Sequence, residues 1–214
     1  MKILLVRHGE TPWNAAGRYQ GRQDISLSAV GESQARALGE RLREVRIDRA
    51  IASPLGRALR TAELALGEPR AAMLTTDDGL LEIAHGDWEG LLESEIRERD
   101  PDRLRAWREA PDTVQMPGGE SLQQVQDRAW PALERACAGL GDDQTLLLAA
   151  HDAVNRVLLC RVLGLPLPQL WRFRQAPATL NLLEGKDVDH LDVVRLNDAT
   201  HHTALFGEAV HRAL

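Results

Sequence analysis

Gln144-Thr145-Leu146-Leu147-Leu148-Ala149-Ala150, running directly into His151-Asp152-Ala153-Val154-Asn155-Arg156, is the stretch whose reading decides the fold. A short uncharged run with an apolar centre reads as a strand buried on both faces. The residues after His151 read as a helix from Asp152 to about Leu163, with Asp152 as its N-cap. A buried strand passing straight into a helix is the unit of a parallel sheet, because parallel neighbours need crossover connections that cover the faces. The unit recurs outward from this stretch. Lys2 to Val6 is a short strand ending at the polar run Arg7-His8-Gly9-Glu10-Thr11. Residues 14 to 26 read as loop. Ser28 predicts a helix to about Val45, with Ala35, Leu38, Leu42 and Val45 on one face. Arg49 to Ala52 is a second strand, and Ser53-Pro54 opens a helix to about Leu66, with Ser as N-cap and Pro at the first position. Met73 to Thr76, Ala178 to Leu183 and Leu191 to Leu196 supply further strands. The region from about 90 to 140 reads as helix only, with a break at Asp100-Pro101 and a start at Ser121. The expectation is one domain over residues 1–214: a three-layer α/β/α sandwich with a mostly parallel central sheet and a small helical cap.

Composition narrows the class of function. The chain has 214 residues, with 26 Lys and Arg against 32 Asp and Glu, for a formal charge of −6. That balance argues against a nucleic-acid binder, whose electrostatic footprint is basic. A hydrophobic share of 43% with 27% charged residues fits an ordinary globular core. Two cysteines, Cys137 and Cys160, make no disulfide framework and point to a reducing compartment. Leu146 to Ala150 is far shorter than the ~20 apolar residues of a membrane span. A cytoplasmic protein with no membrane association is expected.

In an open α/β sheet, ligands gather beyond the carboxyl ends of the strands. Four segments lie there: Arg7-His8-Gly9, Ser53 to Arg57, the loop holding Glu82 to His85, and His151-Asp152. Guanidinium forks match phosphate oxygens, and helix N-termini present free N–H groups to anions. Arg57 falls in the first turn of its helix, where a cation opposes the helix dipole and a purely structural role is less natural. This set points to a phosphoryl pocket.

Arg7-His8-Gly9-Glu10-Thr11-Pro12-Trp13-Asn14 resembles the signature of the histidine phosphatase superfamily, also called phosphoglycerate mutase-like. Supporting segments follow in the family's order: Gly17-Arg18-Tyr19-Gln20-Gly21, Leu27-Ser28-Ala29-Val30-Gly31, Ser53-Pro54-Leu55-Gly56-Arg57-Ala58, Glu82-Ile83-Ala84-His85-Gly86-Asp87-Trp88-Glu89-Gly90 and Pro117-Gly118-Gly119-Glu120-Ser121. The resemblance covers nearly the whole chain. It implies that His8 is the nucleophile and that Arg7, Arg57, Asn14 and His151 hold the phosphoryl oxygens. It implies further that Glu82 is the acid and base and that the Gln20-Gly21 backbone lines the rim. No metal and no cofactor is implied, since arginines and histidines take the place of one. Asp152 occupies a substrate-side position where the family often has glycine. As an N-cap, its oxygens would turn to the helix's own N–H groups and away from phosphate. Glu10 and Tyr19 belong to the motifs but are read as orienting their loops.

Two features lean toward hydrolysis rather than mutase activity. Only 36 positions separate Glu82 from Gly118, a short cap, and Gly21-Arg22-Gln23-Asp24 lacks the tryptophan common in mutases. The chain looks most like the metal-independent phosphoserine phosphatases, through His85 before Gly86, the stretch Trp107 to Gly119, Leu163-Gly164 leading to Trp171, and Leu196-Asn197 before His201. In that group the positions of His85 and His201 face the substrate's carboxylate and amine, and the tail from Thr200 to Leu214 forms part of the pocket. The expected partner is a small phosphorylated metabolite, L-phosphoserine in the first instance, and a homodimer is compatible with the resemblance. The rival substrate readings are a broad-specificity phosphatase, an α-ribazole phosphatase, and a bisphosphoglycerate-dependent phosphoglycerate mutase. A phosphometabolite-binding module without catalysis is the non-enzyme alternative. A zinc site of histidines 8, 85, 151 and 201 is disfavoured, because no pair has tight ligand spacing.

Overall fold

A computed structural model describes residues 1–204. Its centre is one six-stranded sheet in the order β3-β2-β4-β1-β5-β6. The strands are β1 (Lys2–Arg7), β2 (Arg49–Ala52), β3 (Leu74–Thr76), β4 (Thr145–Ala150), β5 (Leu180–Gly185) and β6 (Leu191–Asp198). The first four run parallel, and β5 and β6 add antiparallel on one side. The register pairs Arg7 with Ala150 and Ala52 with Ala149, so β1, β2 and β4 end at the same level.

Alternation along each strand sorts the core into two layers. Ile3, Leu5, Leu146, Leu148 and Ala150 face one cluster, with α6 (Leu122–Cys137) and α7 (Asp152–Val162). Leu4, Val6, Leu147, Ala149, Ala50 and Ala52 face the other, with α2 (Ala29–Arg41) and α3 (Gly56–Leu66). Each buried leucine of β4 contributes about 1.5–3 kcal/mol through removal from water. The three-layer sandwich read from the sequence is the architecture found. Over the cap region lie α4 (Glu93–Arg99) and α5 (Pro101–Glu109), parted at Asp100-Pro101 as expected. No helix among the described residues is long and apolar enough to cross a membrane.

Three local expectations are corrected. Residues 14 to 26 are not all loop, because α1 (Pro12–Ala16) reaches into them. Thr11 and Asn14 close a reciprocal capping box at its start, which a reading based on glycines overlooks. Ser53 does not cap α3; Leu55 occupies that position without a side-chain bond, and Ser53 turns to His151 instead. Asp152 is not the N-cap of α7 but its first residue; His151 holds the cap position in extended conformation. At the N-terminus of α2 the backbone meets the loop after β1 very closely: a Cβ at Gly31 would lie 2.0 Å from the Glu10 carbonyl oxygen.

Candidate active site

Arg7 and His8 leave the sheet at the end of β1. The His8 N–H donates to the Ala150 carbonyl at 3.0 Å, and its own carbonyl accepts from Ala178 N–H at 2.9 Å, so the main chain is fixed on both sides. The His8 ring is buried, and its Nδ1 lies 2.7 Å from the Gly9 carbonyl oxygen. A carbonyl can only accept, so Nδ1 carries the hydrogen and Nε2 keeps a free lone pair. Burial, then Arg57 and Arg7, push the imidazole's pKa well below the usual histidine range, so the ring is neutral.

His151 stands at the end of β4 with its ring centroid 5.3 Å from that of His8. Its Nε2 is 2.8 Å from Ser53 Oγ, and its Nδ1 is buried with no partner among the described residues. Burial, with Arg57 and His8 next, also holds this ring neutral. Ser53 itself sits past the end of β2, where its N–H bonds the Ala149 carbonyl at 2.9 Å. Three parallel strand ends therefore fix the two imidazoles.

Two guanidinium groups accompany them. Arg57, in the first turn of α3, is fully buried; Nη1 donates to the Gln23 carbonyl at 2.7 Å and Nη2 to that of Gly21 at 2.8 Å. Burial lowers its pKa to about 10, against an opposing pull from Glu82, so it is a cation at neutral pH. Arg7 Nη1 donates to the Gln175 carbonyl and lies 3.2 Å from Asp152 Oδ2. The Nε of each arginine is buried without a partner among the described residues. The other Asp152 oxygen accepts from Arg156 Nε at 2.5 Å. Arg156 is in turn bonded to the carbonyls of Leu170 and Phe173 and lies over the Trp171 ring. Asp152 thus supports Arg7 from behind and does not line the cavity, where the sequence had placed it on the substrate side.

A small cavity opens between Arg7, His8, Asn14, Arg18, Gln20, Gly21, Arg57, Glu82 and His85. Glu82 is buried, and its Oε1 accepts the Ile83 N–H at 2.9 Å. Burial raises its pKa; the Ile83 N–H and Arg57 oppose that without cancelling it. His85 packs edge-on against Tyr19 at 5.1 Å and Trp107 at 5.9 Å, and burial takes its pKa down to about 3. It is therefore an uncharged lining group, whose Nδ1 has no partner among the described residues. Asn14 on α1 holds Thr11 N–H through its Oδ1 at 3.1 Å. His201 does not line this cavity; its Nε2 lies 3.0 Å from the Ala178 carbonyl, beside the main chain of His8. Most of the tail expected in the pocket, residues 205–214, lies outside the described residues.

Sequence reading missed Arg18 as a lining residue and Ser53 as the partner of His151. Both stand inside quoted motifs, so their positions were signalled but their contacts were not. Among the described residues, no three His, Cys, Asp or Glu side chains are placed to hold a metal ion.

Residues 3–199 match the model of the histidine phosphatase superfamily, branch 1. Phosphoserine phosphatase 1 of Hydrogenobacter thermophilus is 34% identical over the full length of both chains. A probable phosphoglycerate mutase GpmB of Salmonella choleraesuis is 33% identical, covering 92% of this chain and 98% of that one. The solved structure of Bacillus stearothermophilus YhfR superposes with a TM-score of 0.86 at 33% identity, over 94% of this chain and 98% of its own. The chain belongs to the histidine phosphatase superfamily and is a phosphatase enzyme of that class.

Proposed function

We propose that this chain hydrolyses a small phosphomonoester through a phosphohistidine at His8, without a metal, with L-phosphoserine as its substrate. The observation that carries this reading is the His8 ring: neutral, with Nδ1 committed to the Gly9 carbonyl and Nε2 free, beside two buried arginines and a carboxyl of raised pKa. His8 Nε2 attacks phosphorus and the ester P–O bond breaks. Arg7, Arg57, Asn14 and His151 stabilise the charge on the phosphoryl oxygens, with the Gln20-Gly21 main chain at the rim. One such donor is commonly worth about 2.7–4 kcal/mol. Glu82, whose pKa is raised by burial, gives its proton to the leaving alkoxide. It then takes a proton from water as the water oxygen bonds phosphorus and the P–N bond breaks.

Phosphoserine is favoured by the full-length likeness to phosphoserine phosphatase 1 and by the short segment between Glu82 and Gly118. The likeness to a probable phosphoglycerate mutase keeps a phosphoglycerate reading in play. The test is a panel of phosphoserine, 3-phosphoglycerate, α-ribazole phosphate and p-nitrophenyl phosphate, with and without a bisphosphoglycerate primer. Phosphoserine turned over fastest without primer, and after exhaustive chelation, supports the proposal. Primer-dependent isomerisation of phosphoglycerate overturns it. An acid-labile, base-stable phosphate trapped on His8 separates the enzyme from a binding module.

A further inference from the structure

The Pro117-Gly118-Gly119-Glu120-Ser121 turn and α6 take no part in the phosphate ring, yet they grip the segment that carries Glu82. From α6, Arg128 Nη1 donates to the carbonyls of Gly79 at 3.0 Å and Leu81 at 2.5 Å, and Nη2 to that of Glu82 at 3.0 Å. Its other edge is a two-point fork, with Nε and Nη2 each 2.9 Å from a Glu120 oxygen. Glu120 Oε2 also accepts the Ala84 N–H at 3.0 Å, and the Glu120 N–H donates to the Ala84 carbonyl at 2.9 Å. A Cβ at Gly119 would lie 2.0 Å from that carbonyl oxygen, so the turn lies directly on the acid segment. From the rim loop, Arg22 Nη2 reaches Glu120 Oε1 at 3.0 Å.

We propose that Arg128 and Glu120 are positioning residues for the proton-transferring carboxyl, fixing the main chain on both sides of Glu82 so that its side chain meets the ester oxygen. The inference rests on the reading of Glu82 as general acid. Leu81 to His85 have no regular secondary structure, so no strand ladder or helix holds them. A general acid must stay within hydrogen-bond reach of the leaving atom. Arg128 and Glu120 supply main-chain partners on both sides of Glu82, beside Arg22 Nε at 3.4 Å from the Glu82 carbonyl and Glu89 Oε1 at 3.1 Å from the His85 N–H, and neither Arg128 nor Glu120 lines the cavity.

The test is kcat/KM for phosphoserine and for p-nitrophenyl phosphate in Arg128→Ala, Arg128→Lys, Glu120→Gln, Glu82→Gln and the Arg128→Ala/Glu82→Gln double variant. Nitrophenolate departs without a proton, and kcat/KM reports the step through its departure. Arg128→Ala is expected to lose about 10–100-fold on phosphoserine and less than about threefold on the aryl ester, with Arg128→Lys in between. The double variant is expected to be no worse on phosphoserine than Glu82→Gln alone. Retained aryl turnover shows that the variant is folded; if Arg128→Ala does not fold, Glu120→Gln is expected to show the same selectivity. Equal losses on both esters, with Glu82→Gln still selective, overturn the positioning role alone. Loss of selectivity in Glu82→Gln itself overturns the reading of Glu82 and the positioning role with it.

Discussion

Arg7, His8, Ser53 and His151 stand at strand ends, where the sheet's own hydrogen bonds fix their main chain. Glu82 and His85 stand in an irregular stretch whose main chain is bonded to side chains from distant α6 and from the turn before it. The His8 side, the proposed nucleophile side, inherits its precision from backbone pairing at the strand ends. The Glu82 side depends on individual side chains, Arg128 and Glu120 foremost with Arg22 and Glu89 beside them, and on aromatic packing around His85. Loss of one residue should therefore remove a chemical function on the first side, but shift a geometry on the second.

The largest expected effect lies on the nucleophile side. His8→Ala should lower turnover of every ester by roughly 10⁴–10⁶-fold, with the melting temperature little changed. Residual activity near wild type in a phosphate-release assay would leave the strand-end ring without its chemistry. Next comes its support. Asp152→Ala leaves the Arg156 guanidinium without its carboxylate partner, in a pair whose side chains are only 1% and 4% exposed. Removing one member of such a pair costs about 3–5 kcal/mol, readable in urea unfolding. A wild-type midpoint would mean that Arg7 and Arg156 hold themselves through main-chain carbonyls alone.

Smaller effects test the acid side through pH. A raised Glu82 pKa keeps the proton donor populated further toward neutrality, and activity on alkyl esters should fall as pH climbs through that value. His8, with its pKa pushed down, stays nucleophilic below the ordinary histidine range, so the acid limb should lie lower than pH 6.5. In Glu82→Gln the alkaline fall should vanish from the kcat/KM profile for phosphoserine; its persistence would assign that limb to another group. The last effect is on stability. His85 has a folded pKa of about 3 against an ordinary 6.5. Its neutral burial contributes fully above pH 6.5 and is lost as pH falls toward 3, at about 1.4 kcal/mol per pH unit. His85→Gln should flatten that acid slope in unfolding measured between pH 6.5 and 4, and an unchanged slope would place the coupling elsewhere.

The same contrast explains what could be read from sequence. Val6-Arg7-His8 and Ala150-His151 pair a buried run with a polar break, so each strand and the polar residue at its end were legible together. The motifs also placed Glu82 and His85. The Arg128–Glu120 grip was not legible, because it joins segments some 40 residues apart in a protein whose many Arg/Glu pairs are mostly exposed. Asp152 was misplaced for a related reason. An acid after a strand looks like a cap, and only the three-dimensional position of Arg156, one turn along α7, makes it an ion-pair partner.

The near-contact of Gly31 with Glu10 ties two sequence positions into one constraint. The first turn of α2 doubles as a spacer that sets how far the Gly9-Glu10 main chain can swing from the sheet. In a saturation library, position 31 should accept almost nothing larger than hydrogen although it touches no reactant. Variants there should behave as damaged catalysts before they behave as damaged folds.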